Sequence, residues 1–140
     1  MNTELSRPWF AHYDSFVPRT SEVWNKPLYA LLDEAADKYP NRLAVIFQNT
    51  RITYKQLREQ AERFAGGLRR IGVKTGHRVA LMMPNMPQTV VAFLACASIG
   101  AIWSSCAPEM GVSVVLDRFQ QIAPKLIFAT DSYTYAGRQF

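Results

Sequence analysis

RVALMM, residues 78–83, is apolar at every position after its arginine. Side chains on a strand point alternately to opposite faces, so an unbroken apolar run has no solvent side. That is the mark of a parallel strand covered by helices on each side. The flanking sequence agrees. Upstream, Leu57, Ala61, Phe64, Ala65, Leu68 and Ile71 fall at helical spacing. Downstream, residues 86–98 are apolar nearly all round and predict a buried helix, with Asn85 as its cap, Gln88 three residues on and Pro87 in its first turn.

The same rhythm continues to the end. AIW at 101–103 predicts a second strand, Val112, Val115, Leu116, Phe119 and Ile122 a helix stripe closed by Pro124, and KLIFAT at 125–130 a third strand. Strand–helix–strand–helix–strand with short connections specifies an α/β fold, a partial parallel sheet flanked by helices.

Before it, Pro27 opens a helix with Leu28, Leu31, Leu32, Ala35, Ala36 and Tyr39 on one face, which stops at Pro40. LAVIF at 43–47 and RIT at 51–53 predict a small β-hairpin, and Thr53-Tyr54-Lys55-Gln56 has the form of a capping box. Arg69 and Arg70 then Gly72 suit a helix C-terminus, while Gly66-Gly67 inside the helix argues for close approach of another backbone. The expected organisation is an extended arm over residues 1–26 and an incomplete N-terminal α/β subdomain over 27–140.

Composition narrows the classes. A chain of 140 residues, 49% hydrophobic, can bury a real core without disulfides. The net charge of +5 is dispersed, which argues against a nucleic-acid stripe. The longest apolar stretch, Thr89 to Trp103, is short of a membrane span. Cys96 and Cys106 read as reduced core residues, and with no signal-peptide pattern the expectation is a cytoplasmic protein.

Ligands of open parallel sheets sit beyond the carboxyl ends of the strands. Pro84-Asn85, Ser104-Ser105-Cys106 and Thr130-Asp131 occupy those ends, with Glu109 the one acid on the rim. Ser104 and Ser105 equally suit loop caps. No glycine-rich phosphate loop, serine elbow or metal-ligand spacing is present, His12 and His77 are isolated, and Asp33-Glu34 lies on a polar helix face. The residues therefore nominate no catalytic group and no metal site.

Three stretches resemble a known family. ITYKQL (52–57) is similar to the first core motif of adenylate-forming acyl-CoA synthetases, GHRVALMMPN (76–85) to their Gly-x-Arg-Val-Ala strand with its closing Asn, and ASIGAIWSSCAP (97–108) to their second core motif. They occur in family order across roughly residues 25–140. RPWFAHYDSFVP and the 27–72 segment resemble fatty acyl-CoA synthetases; the stretch from AIW to AGR is closer to acetoacetyl-CoA synthetases.

The resemblance implies a ligase that joins a carboxylic acid to ATP with Mg²⁺, then passes the acyl group to coenzyme A. It also implies that the phosphate loop, acyl pocket and adenylation lysine follow the matched region. The 140-residue chain alone is then expected to be an inactive N-terminal fragment, meeting its acid substrate only through the missing part. By position, Trp103, Ser104 and Ser105 fall on a loop that touches coenzyme A, and Tyr135 and Arg138 on a second such segment. Serines stand where the pattern has glycines, and Tyr135 where it has an arginine. Two alternatives stay open: a stand-alone interaction or CoA-binding module of the same fold, or an unrelated nucleotide-binding α/β domain. A fragment would also expose a sheet edge through which it could self-associate.

Overall fold

The computed structural model describes residues 8–18, 25–135 and 137–139. At the start, Pro8–His12 form a short 3₁₀ turn. The rest of the described chain runs α1 (Tyr29–Lys38), β1 (Leu43–Phe47), β2 (Thr50–Thr53), α2 (Tyr54–Arg70), β3 (Arg78–Met82), α3 (Pro87–Ser98), β4 (Ile102–Cys106), α4 (Val112–Ile122), β5 (Leu126–Ala129), β6 (Thr134–Tyr135) and β7 (Arg138–Gln139). The α/β reading holds.

β3 lies between β4 and β5 and pairs in parallel with both. Its neighbours supply every ladder bond, so Val79, Ala80 and Leu81 are 0% exposed. Alternation divides the sheet into two faces. Val79, Trp103, Leu126 and Phe128 meet Ala65, Leu68, Ala95 and Cys96 of α2 and α3. Ala80, Met82 and Cys106 meet Val115 and Phe119 of α4. α1 and the β1–β2 hairpin form an outer layer, where Leu32 and Ile52 pack on Leu57, Ala61 and Val91.

Helix ends set the register of this stack. The Thr53 hydroxyl accepts from the Gln56 amide and the Gln56 side chain accepts from the Thr53 amide, at 3.3 and 2.9 Å, completing the capping box. α2 closes with Gly72 at φ 85°: Val73 N–H donates to the Leu68 carbonyl and Gly72 N–H to that of Arg69. α3 ends alike through Gly100 at φ 70°, with Ala101 N–H donating to Cys96. A side chain at Gly100 would meet Thr75 at 2.9 Å, and Thr75 itself donates to the Ile99 carbonyl. The Gly100 turn delivers the chain directly into β4, whereas a short loop with its own turn at Gly76 separates Gly72 from β3.

Four expectations need correction. β4 does not stop at Trp103; it continues to Cys106, because Ser104 and Ser105 pair with Ala80 and Leu81. Hydrophobicity ends at Trp103, but backbone pairing follows the length of β3. Asn85 is not the cap of α3, since the helix begins one residue later with Met86 as N-cap and Pro87 in the first position. Helix α3 is buried along one side only, and Val90 is 36% exposed. Among the described residues no backbone approaches Gly66 or Gly67; a Cβ at either would have nothing within 4 Å. The β6–β7 hairpin had no sequence signal beyond Gly137, which takes φ 76° at its turn.

Among the described residues no helix is long and apolar enough to cross a membrane. Cys96 and Cys106 are free and buried.

Two predictions follow from this core. Gly66→Ala and Gly67→Ala should each raise the chain's own stability by about 1 kcal/mol in urea denaturation, because each removes helix-interior backbone freedom without meeting a neighbour. Burial pushes the Cys96 thiol up to about 11 from an ordinary 9.0. The unfolded chain therefore releases this proton first. Its contribution is intact below about pH 9 and lost as the pH climbs toward 11. A Cys96→Ala variant should lack that part of the decline in melting temperature over the same range.

Candidate functional site

A cleft of about 340 Å³ opens where β3 and β4 end. One wall is the β3–α3 turn, Met83, Pro84 and Asn85; the other runs from Ser105 and Cys106 through Ala107 and Pro108 to Glu109. Tyr133 and Thr134, entering β6, close the third side. This is the position that parallel-sheet topology assigns to ligands, since strand ends leave backbone groups and loop side chains without sheet partners.

Local chemistry fixes each wall. Pro84 cannot donate to a ladder and ends β3. Thr89, in the first turn of α3, donates its hydroxyl to the Pro84 carbonyl at 2.7 Å and so ties the turn to the helix. Cys106 pairs with Met82 as the last rung and is 3% exposed, which makes it floor rather than reactive surface. Beyond it, Met110 N–H donates to the Ala107 carbonyl and turns the chain toward α4. On the third side, Thr130 donates its hydroxyl to the Ser132 carbonyl at 2.6 Å.

The site unites some of the sequence-nominated residues and separates others. Ser105 lines the cleft, and so do Asn85 and Glu109. Ser104 points to the opposite sheet face by strand alternation. Trp103 is half-buried against α3, its ring edge-on to Phe93 with centroids 5.6 Å apart. Tyr135 and Arg138 pair across the β6–β7 hairpin, which begins at the cleft-lining Thr134. The Tyr135 side chain lies outside the described residues; Arg138 is exposed. Asp131 is exposed beyond β5 and does not line the cleft. Sequence reasoning missed Tyr133 and Thr134, whose only signal was their place just after a strand end.

Glu109 is the one formally charged residue in the lining. The cleft thus offers hydroxyl, amide and carboxylate groups that can hold a neutral or hydroxylated ligand part, with Arg138 on the adjoining hairpin as the nearby cation in sequence. No three metal-binding side chains converge among the described residues. His77 stands just before β3, at the strand end remote from the cleft, where its Nδ1 accepts from the Lys74 amide at 3.2 Å. His12 is in the 3₁₀ turn. The arrangement can bind and orient, but it pairs no nucleophile with a base.

Comparison with known proteins gives the surroundings of this geometry. A family model described as AMP-binding enzyme matches residues 32–139. The chain is 53% identical over 89 residues to the acetoacetyl-coenzyme A synthetase of Rhizobium meliloti and 52% to that of Xenopus tropicalis, in each case over 64% of this chain. It spans only 14% and 13% of those relatives' lengths. Among solved structures, acetoacetyl-CoA synthetase from Streptomyces lividans superposes with a TM-score of 0.78 at 39% identity, over 81% of this chain and 18% of that one. The N-terminal subdomain of NpsA from Klebsiella oxytoca shares the fold, with a TM-score of 0.73 at 24% identity, over 81% of this chain and 29% of that one.

The Thr89–Pro84 bond makes a direct prediction. Thr89→Val keeps the side-chain shape but leaves the half-buried carbonyl without this donor, so urea denaturation should show a loss of about 1 kcal/mol.

Proposed function

The chain belongs to the AMP-binding enzyme family, and we propose that it forms the N-terminal part of the adenylating domain of an AMP-forming acyl-CoA synthetase that activates acetoacetate. The observation that carries this reading is the 53% identity to an acetoacetyl-CoA synthetase, on a body whose strand ends build a cleft. In the whole enzyme, the carboxylate would attack the α-phosphorus of Mg²⁺-bound ATP and release pyrophosphate, and the thiol of coenzyme A would then take the acyl group from the acyl-adenylate and release AMP.

The described residues do not fit the triphosphate or its metal. The cleft lining holds one acid and no base, and no set of metal ligands converges. Those groups therefore belong to other parts of the enzyme, and this chain alone should not adenylate. Coenzyme A fits better. Of the five nominated residues Trp103, Ser104, Ser105, Tyr135 and Arg138, the last three are the proposed contacts, and what supports them is the cleft shared by Ser105 and the hairpin that carries Tyr135 and Arg138. A small hydroxyl at Ser105 admits backbone approach to the ligand, and the exposed Arg138 guanidinium is suited to pair a phosphate. Trp103 and Ser104 would act by supporting the strand beneath. Two free, buried cysteines fit a reducing, cytoplasmic compartment.

The test joins this chain to the polypeptide that follows the matched region in the Streptomyces lividans enzyme. Acetoacetate-dependent ATP–pyrophosphate exchange should appear in the fusion and be absent from the 140-residue chain. In the active fusion, Arg138→Ala and Ser105→Trp should raise the KM for coenzyme A while leaving exchange intact. Exchange by the chain alone, or a fusion indifferent to acetoacetate, would overturn the reading.

A further inference from the structure

Charge that is dispersed along the sequence is gathered in space. From Arg63 to Pro108 the chain holds no acidic residue. The basic residues of that stretch collect chiefly at the end of the sheet remote from the cleft. There α2 finishes with Arg69 and Arg70, both exposed. Val73 N–H donates to the Leu68 carbonyl, so Lys74 stays beside the helix end, and His77 N–H closes a further turn on the Lys74 carbonyl at 3.0 Å. Arg78 opens β3, Ile102 is its partner in β4, and Lys125 N–H donates to the Arg78 carbonyl at 2.8 Å. Strand alternation sets these three side chains in one row, on the face opposite Val79, Trp103 and Leu126.

Two observations mark this end as a surface. Elsewhere Lys26 is paired with Glu34 and Arg58 with Asp37. Among the described residues, none of Arg69, Arg70, Lys74, Arg78 and Lys125 forms an ion pair, and all five are exposed. The dipole of α2 accounts for the two arginines of its last turn, but not for Arg78 at the start of a strand. Beside these cations stand two aliphatic side chains in water: Ile71 is 61% exposed and Ile102 is 53% exposed.

We propose that this end of the body docks on an anionic lipid bilayer, its five cations facing the headgroups and its two isoleucines entering the boundary below them. Unpaired cations mixed with exposed aliphatics match a surface that carries negative charge outside and hydrocarbon beneath. A single-stranded nucleic acid would be met by exposed aromatic platforms, and the apolar side chains here are branched aliphatics. The cations also extend from the end of α2 to the start of β5, so they form a broad face rather than the line that an extended acidic peptide would need. The cleft lies at the opposite ends of the strands, so docking here leaves its mouth toward water. The proposal uses neither the cleft nor any cofactor and stands apart from the functional reading.

The test is co-sedimentation of the 140-residue chain with vesicles of phosphatidylcholine and phosphatidylserine, and with vesicles of phosphatidylcholine alone. Binding should require phosphatidylserine and should fall steeply as salt is added. Arg78→Gln with Lys125→Gln should weaken it roughly tenfold or more, whereas Lys38→Gln with Arg51→Gln, an equal loss of charge elsewhere, should leave it unchanged. Ile71→Ser with Ile102→Ser should weaken it at constant charge. All six positions are exposed, so melting temperatures should hold. Equal binding to phosphatidylcholine alone, or equal losses from the two charge pairs, would overturn the proposal. So would capture by polyglutamate or by a DNA oligonucleotide without capture by vesicles, which would assign the surface to an acidic protein or a nucleic acid. The same assay on the fusion with the Streptomyces lividans polypeptide separates the two readings. A fusion that binds vesicles but fails pyrophosphate exchange would sink the functional reading alone; one that exchanges but ignores vesicles would sink this proposal alone.

Discussion

Everything in this body is referred to one five-residue strand. Among the described residues β3 is the only strand of its sheet with a partner on each side, and its centre is closed to solvent by α2 and α3 above and α4 below. Complete removal of Val79 and Leu81 from water supplies a large share of the hydrophobic stabilisation per residue, on the order of 2 kcal/mol for each side chain. It also removes freedom from the neighbours. β4 must run in parallel and in register with β3, so it ends where β3 ends, and the cleft forms where both stop.

The helices are held to that strand by paired devices at their ends. α2 and α3 terminate in the same glycine motif, and Gly100 fits against Thr75 so that the end of α3 and the loop before β3 lock together. Outside the core, Arg58 of α2 reaches Asp37 of α1 at 2.6 Å, with Asp33 and Glu62 adding to the field that raises its affinity for a proton. The pair is largely exposed, so it orients α1 more than it stabilises it. The outer layer rests chiefly on Leu32, Ile52 and Val91.

The cleft and the β5 side differ in how they are built. The cleft is held in shape by local contacts: a proline, a threonine hydroxyl and a buried cysteine fix part of its walls and floor. The β5 side is more open: among the described residues apolar grooves flank the strand, and Gly67 lines one of them. The first suits a ligand-facing wall. Both belong to a chain that spans about one-seventh of its synthetase relatives.

What the sequence determined by itself was the kind and order of elements. RVALMM had no polar face, so it had to be covered twice; the 57–71 stripe, the Thr53–Gln56 box and Gly72 each carry their information within one turn of chain. The strand-end rule likewise pointed to Asn85, Ser105 and Glu109 before any geometry was available. The tertiary structure decided what depended on a partner far along the chain. Ser104 and Ser105 became strand because the ladder of β3 continued beneath them, and their alternation sent only Ser105 to the cleft. Trp103 became a packing residue through Phe93, and Tyr133 and Thr134 entered the site because β5 returned the chain to its rim. Propensity is local and pairing is not: side-chain pattern announces an element, while its length, its facing and its neighbours are settled by the backbone it bonds.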